Sequence, residues 1–219
     1  MTDAPQLPAR GGSKALIVLP LASLVLFAAL AAIVETGGAS EFDSRVRAIV
    51  HAWASAGLTD AMLIVTALGS VAIIGALSLA GFAGFALTKQ RGSAWLLALA
   101  MGGAIVLENG LKLAFHRARP EPFFGIASPE TFSFPSGHAL FSACFYGAVA
   151  WRLAARAQQR SVRATLWATS IALIAAIGFS RIYLGVHNPT DVLAGYLVAA
   201  FWLGAIRAWG ADRITSTRP

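Results

Sequence analysis

Apolar positions in this chain fall in long uncharged blocks, not at the spacing of a half-buried helix or strand. Blocks without any charge run over 15–34, 61–87, 93–107, 139–151, 164–180 and 192–206. A hydrocarbon layer about 30 Å thick takes about 20 residues of helix to cross. The first two blocks reach that length alone. The third reaches it by continuing through Glu108 and Lys112 to about Phe115. The fourth does so by starting near Gly137 and ending where Arg152 and Arg156 can snorkel to the interface. The pattern predicts an all-α fold: a polytopic membrane protein with six transmembrane helices in one bundle. The first block, preceded by Arg10 and Lys14, is read as a retained helix, because it is longer than a cleaved signal core and five more blocks follow. The bundle is expected over 15–209, between cytoplasmic tails at 1–14 and 210–219, with two longer connections at 35–60 and 116–137.

Composition agrees and narrows the class. Of 219 residues 57% are hydrophobic and 12% charged, about half the 25% usual in soluble domains, and the mean hydropathy is +0.68. These values exclude a soluble globule, a disordered chain and a secreted disulfide scaffold. The single cysteine, Cys144, allows no intrachain disulfide and no cysteine-based metal cluster, and is read as helix packing.

A net charge of +7 could signal a nucleic-acid partner, but the basic residues flank the apolar blocks and none is expected. On one side of the six-helix layout lie Arg10, Lys14, Lys89, Arg91, Arg152, Arg156, Arg160, Arg163, Arg207, Arg213 and Arg218, eleven in all. The other side has six: Arg45, Arg47, Lys112, Arg117, Arg119 and Arg181. The positive-inside rule places both termini in the cytoplasm, with the protein integral to the plasma (inner) membrane. Four of the six outside cations sit at helix ends beside polar motifs and need another explanation.

Three segments supply it, all expected at the outer face. They are Lys112-Leu-Ala-Phe-His-Arg-Ala-Arg119-Pro120, Pro135-Ser136-Gly137-His138, and Ser180-Arg181-Ile-Tyr-Leu-Gly-Val-His187-Asn-Pro-Thr-Asp191. Together they offer permanent cations, a small-residue helix start and two imidazoles. Cations and helix-start amides form an anion site suited to a tetrahedral phosphate. Two histidines beside a phosphate suggest a nucleophile and a general acid more than a pair of metal ligands. No carboxylate cluster lies nearby to hold magnesium or zinc, so no metal and no cofactor is expected.

These segments resemble the type-2 phosphatidic acid phosphatase superfamily. Its pattern is Lys, six residues, Arg-Pro; then Pro-Ser-Gly-His; then Ser-Arg, five residues, His, three residues, Asp. Every fixed position is matched in order over residues 112–191. The resemblance implies that His187 attacks phosphorus and forms a phosphohistidine. Asp191 would hold the His187 tautomer that leaves the attacking nitrogen bare. His138 would protonate the leaving oxygen and then activate water. Lys112, Arg119 and Arg181, with Ser136 and the Gly137 amide, would bind the phosphate oxygens, without a metal.

Local sequence gives independent expectations. Asn188-Pro189 reads as an N-cap followed by proline at the first helical position, which puts Asp191 third, able to turn back toward His187. Ser136-Gly137-His138 opens another helix, with glycine letting a phosphate approach the backbone. Glu108 lies one turn before Lys112 and is read as aiming it, outside the family pattern. His51 and His116 fall on no motif position and are read as structural. Arg117 is assigned at most to lipid headgroups.

Three activities share this architecture. A lipid phosphate or diphosphate phosphatase working at the outer leaflet is favoured. A phosphotransferase passing the phosphoryl group to a lipid or sugar acceptor is the alternative. A vanadate-dependent haloperoxidase is disfavoured by the six spans and the lack of a large soluble scaffold. The expected partners are the bilayer and a membrane phospholipid or isoprenoid (di)phosphate. Sequence selects neither the lipid nor an oligomeric state.

Overall fold

A computed structural model describes residues 13–127 and 130–210. Of the tails read as cytoplasmic at 1–14 and 210–219, residues 1–12 and 211–219 lie outside the described residues. Those residues form eight helices and no strand. In chain order they are α1 (Ser13–Glu35), α2 (Ser40–His51), α3 (Ala56–Ala67), α4 (Val71–Leu87), α5 (Arg91–Phe115), α6 (Gly137–Arg156), α7 (Arg160–Tyr183) and α8 (Pro189–Ala208). The all-α membrane reading holds, with side chains such as Val25, Leu79, Val106 and Ile171 facing outward as lipid contacts require.

Two details of the six-helix expectation change. The second block is broken: α3 and α4 are bent by 41° at Leu68–Ser70. Gly69 fits where a Cβ would lie 2.3 Å from Ile177 Cγ2. Ser70 then restarts the helix as N-cap, accepting from Ile73 N at 3.2 Å. The Tyr146 hydroxyl donates to the Leu68 carbonyl at 2.9 Å, satisfying a group the break frees from the helix ladder. In addition, the connection at 35–60 carries its own helix, α2.

α1, α5, α7 and α8 are long and apolar enough to cross a membrane, and α3 with α4 makes a fifth candidate. α6 is not among these candidates by length and apolarity. Its side chains are buried over most of its length by α4, α5, α7 and α8, so little of it needs to dissolve in lipid. Cys144 is fully buried there, beside Leu140, Phe141 and Ala194.

Helix ends behave as the sequence signals. α5 stops at Phe115 because His116 adopts a left-handed conformation (φ 45°), its N–H bonding back to Lys112 O at 3.1 Å. α6 opens at Gly137 after the N-cap Ser136, and α8 opens with Pro189 after the N-cap Asn188. The C-terminal end of α5, the start of α6, the end of α7 and the start of α8 therefore meet at one end of the bundle. Loops stitch them together: Ser136 N donates to Asp191 O at 2.9 Å and Phe123 N to Leu184 O at 3.0 Å. Gly185 is required at this seam, since its φ is +76° and a Cβ would lie 2.6 Å from Phe123 N.

Candidate active site

The three motif segments converge here. Lys112 projects from the last turn of α5, and Arg119 from the loop that follows. His138 stands on the first turn of α6, Arg181 on the last turn of α7, and His187 on the short loop before α8. Arg181, Arg119, Lys112 and His187 all lie within electrostatic range of His138.

The His187–Asp191 pair is the most enclosed element, with His187 only 2% exposed. Its Nδ1 faces Asp191 Oδ2 at 3.4 Å, and its Nε2 faces Arg119 Nη1 at 3.0 Å. A guanidinium can only donate, so Nε2 must carry the lone pair and Nδ1 the proton; the tautomer follows from the partners. Asp191 is fixed from several directions. Its Oδ2 accepts from Ser133 Oγ at 2.5 Å and from Asn188 N at 2.8 Å, the reach-back that the N-cap spacing predicts. Burial pushes the His187 imidazole down to about 4, with Asp191 opposing and Arg119 and Arg181 adding to the shift.

The cations are braced rather than free. Arg119 donates to the carbonyls of Thr131 (2.7 Å) and Val186 (2.9 Å) and to Thr131 Oγ1 (3.0 Å). Lys112 pairs with Glu108 at 2.6 Å, the contact expected of residues one turn apart, and reaches Thr131 Oγ1 at 3.3 Å. Arg181 Nη1 donates to Thr66 Oγ1 at 2.6 Å, whereas its buried Nε has no partner within the protein. The buried Ser136 Oγ has none either. Gly137 is pressed against α5, where a Cβ would sit 2.8 Å from Glu108 Oε1. Buried hydroxyl and guanidinium donors without protein partners are what an oxyanion ligand would satisfy.

Several contributors escaped the sequence reading. Arg117, assigned at most to headgroups, points inward and bridges Asp43 (2.8 Å) and Asp191 (2.6 Å). Burial disfavours its charge, but the two carboxylates outweigh this and raise its basicity. Asp43 falls on no motif position, and Thr66 is simply part of an apolar block. Ser133 and Thr131 sit in a loop with no pattern. The deviations from the expected roles are all additions: no motif residue is stranded elsewhere. His51 stacks on Phe123 at 4.0 Å between ring centroids and His116 packs edge-on to Phe132 at 4.6 Å, which suits structural roles. Among the described residues, no three His, Cys, Asp or Glu side chains gather as metal ligands.

Known proteins resemble this chain in sequence and fold. The model of the PAP2 superfamily matches residues 93–215. Phosphatidylglycerophosphatase B of Bacillus subtilis is 30% identical over 178 residues, spanning 81% of this chain and 87% of that protein. An undecaprenyl-diphosphatase of Sulfolobus acidocaldarius is 32% identical over 121 residues, about half of each chain (53% and 52%). The crystal structure of a transmembrane PAP2-type phosphatidylglycerolphosphate phosphatase from Bacillus subtilis superposes with a TM-score of 0.82 at 26% identity, covering 91% of this chain and 99% of that one. With the family model over more than half its length and a relative matched almost end to end, this chain belongs to the PAP2 superfamily, as one of its membrane lipid phosphatases.

Proposed function

We propose that this protein hydrolyses a lipid phosphate or diphosphate monoester at the outer leaflet through a phosphohistidine, without a metal. The observation that carries the reading is the His187 geometry: Nδ1 against Asp191, with a bare Nε2 beside Arg119. Nε2 attacks phosphorus in line, and the P–O bond to the lipid breaks as His138 gives its proton to the leaving oxygen. His138 then takes a proton from water, whose oxygen displaces Nε2 and releases inorganic phosphate. Lys112, Arg119 and Arg181, with Ser136 Oγ and the Gly137 amide, bind the equatorial oxygens as charge spreads over them. The unpartnered Arg181 Nε and Ser136 Oγ favour a ligand of that chemistry.

The membrane setting is read as six crossings, α3–α4 counting as one and the protein-enclosed α6 as another. Charge asymmetry favours cytoplasmic termini in the plasma (inner) membrane, with the site outside. Two of the relatives matched over most of their length act by name on phosphatidylglycerol phosphate. That lipid heads the substrate panel, followed by phosphatidic acid, undecaprenyl diphosphate and lipid A.

The deciding experiment is phosphate release from that panel by purified protein, with and without EDTA, together with rapid-quench labelling. The wild type should release phosphate equally in EDTA and yield an acid-labile phosphoprotein that His187→Ala does not form. Full turnover by His187→Ala would sink the mechanism, and a strict divalent-ion requirement would sink its metal-free form.

A further inference from the structure

The first third of the chain lies outside the motif region, yet α2 sends a carboxylate into the site. Asp43 is 2% exposed on the inward face of α2. Its Oδ2 accepts from Arg117 Nη2 at 2.8 Å and from Thr190 Oγ1 at 2.7 Å, and its Oδ1 from Thr190 N at 3.1 Å. The other end of the Arg117 fork reaches Thr190 Oγ1 at 2.8 Å and Asp191 Oδ1 at 2.6 Å. One guanidinium thus lies between two buried carboxylates from distant parts of the chain. It occupies the Asp191 oxygen that His187 does not use, which fixes the carboxylate with Oδ2 toward the imidazole.

This arrangement has an electrostatic consequence. A guanidinium paired with Asp191 alone would draw down that carboxylate's basicity and weaken its hold on the Nδ1 proton. Asp43, on the far side, takes a share of the positive charge. At the short distances and low exposure here such pairings are far stronger than on a surface. We propose that Asp43 and Arg117 are positioning residues for phosphoryl transfer: Arg117 sets the orientation of Asp191, and Asp43 balances Arg117 so that Asp191 remains a strong acceptor for His187. Neither residue is a fixed position of the motif pattern. The proposal rests on His187 as nucleophile with Asp191 as its partner.

The two residues should therefore act on His187 with opposite sign. Removing the Asp43 charge leaves Arg117 unbalanced and makes the imidazolium less favourable. Removing the Arg117 charge frees Asp191 and makes it more favourable. A purely architectural ion pair would do neither.

The test uses full-length protein in detergent with phosphatidic acid in mixed micelles as the probe substrate. Variants are Asp43→Asn, Arg117→Gln, Arg117→Lys and His187→Ala, with Arg45→Ala on the exposed face of α2 as control. Loss of a charge-assisted contact behind the nucleophile is expected to lower kcat about 10- to 100-fold in Asp43→Asn and Arg117→Gln, with little change in KM. The acid limb of kcat/KM should move down in Asp43→Asn and up in Arg117→Gln. Arg117→Lys should stay impaired, since lysine cannot span both carboxylates. If Arg117→Gln is not recovered folded, the shape-preserving Asp43→Asn and charge-preserving Arg117→Lys decide. Wild-type kcat and an unmoved acid limb in those variants, whatever their melting temperature, would overturn the proposal. An active His187→Ala would instead overturn the nucleophile assignment on which it rests, so the two failures are distinguishable.

Discussion

Arg119 Nη1 and His187 Nε2 stand 3.0 Å apart, so the nitrogen proposed to attack phosphorus is held in place by a cation assigned to phosphate binding. The contact links two motifs 68 residues apart in the chain. Phosphate oxygens drawn to Arg119 would thereby be delivered next to the lone pair. Proximity of this kind is a large share of what such a site can supply.

Arg119→Lys keeps the charge but loses the fork that also grips Thr131 and Val186. The expected result is a fall of about 100- to 1,000-fold in kcat/KM, the scale set by removing one fixed donor from a transition-state site. Steady-state phosphate release is the measurement. Activity within a few-fold of wild type would show that charge alone suffices at this position.

The pH profile follows from His187. Attack needs the neutral imidazole, and burial, aided by Arg119 and Arg181 and opposed by Asp191, lowers its pKa to about 4. The acid limb of kcat/KM should therefore lie near pH 4, well below the 6.5 of free histidine. A bound phosphate anion favours the protonated ring, so the limb of kcat should lie at higher pH than that of kcat/KM. A limb of kcat/KM at the ordinary histidine value would contradict the enclosed site.

Gly69 joins the helix break to the site. A methyl group there would lie 2.3 Å from Ile177 Cγ2 and 3.3 Å from His138 Cδ2. Gly69→Ala should destabilise the protein by about 1–3 kcal/mol through overpacking and reduce turnover by disturbing His138. Adding Ile177→Ala removes the clashing methyl and should restore part of both. Thermal unfolding in detergent and kcat report the two effects. Full stability and activity in Gly69→Ala would show that α3–α4 shifts freely.

Sidedness can be read with single cysteines in a Cys144→Ala background. Glu130 is exposed in the loop before α6, and Gln158 is exposed in the turn between α6 and α7 at the opposite end of the bundle. Glu130→Cys should react with an impermeant maleimide on intact spheroplasts, and Gln158→Cys only after lysis. The reverse pattern would place the site on the cytoplasmic leaflet.

The uncharged blocks specify a membrane-buried helical chain, because lipid demands both apolar side chains and internally paired backbone. Local chemistry also specifies the start of α6 at Gly137 and the Asn188-Pro189-Asp191 opening that aims a carboxylate at His187. Those features depend on residues within a few positions of one another, and spacing records them. Tertiary structure decided the rest. The break at Gly69 arises from contact with Ile177 on α7 and a hydroxyl from Tyr146 on α6, neither visible in an apolar block. α6 is acceptable as an inner helix because its neighbours, not lipid, cover it. Asp43, Arg117 and Thr190 meet across 147 residues of sequence, and Thr66 reaches Arg181 across 115. Hydropathy registers removal from water but not which buried charge faces which. That pairing is fixed only when the helix ends pack together.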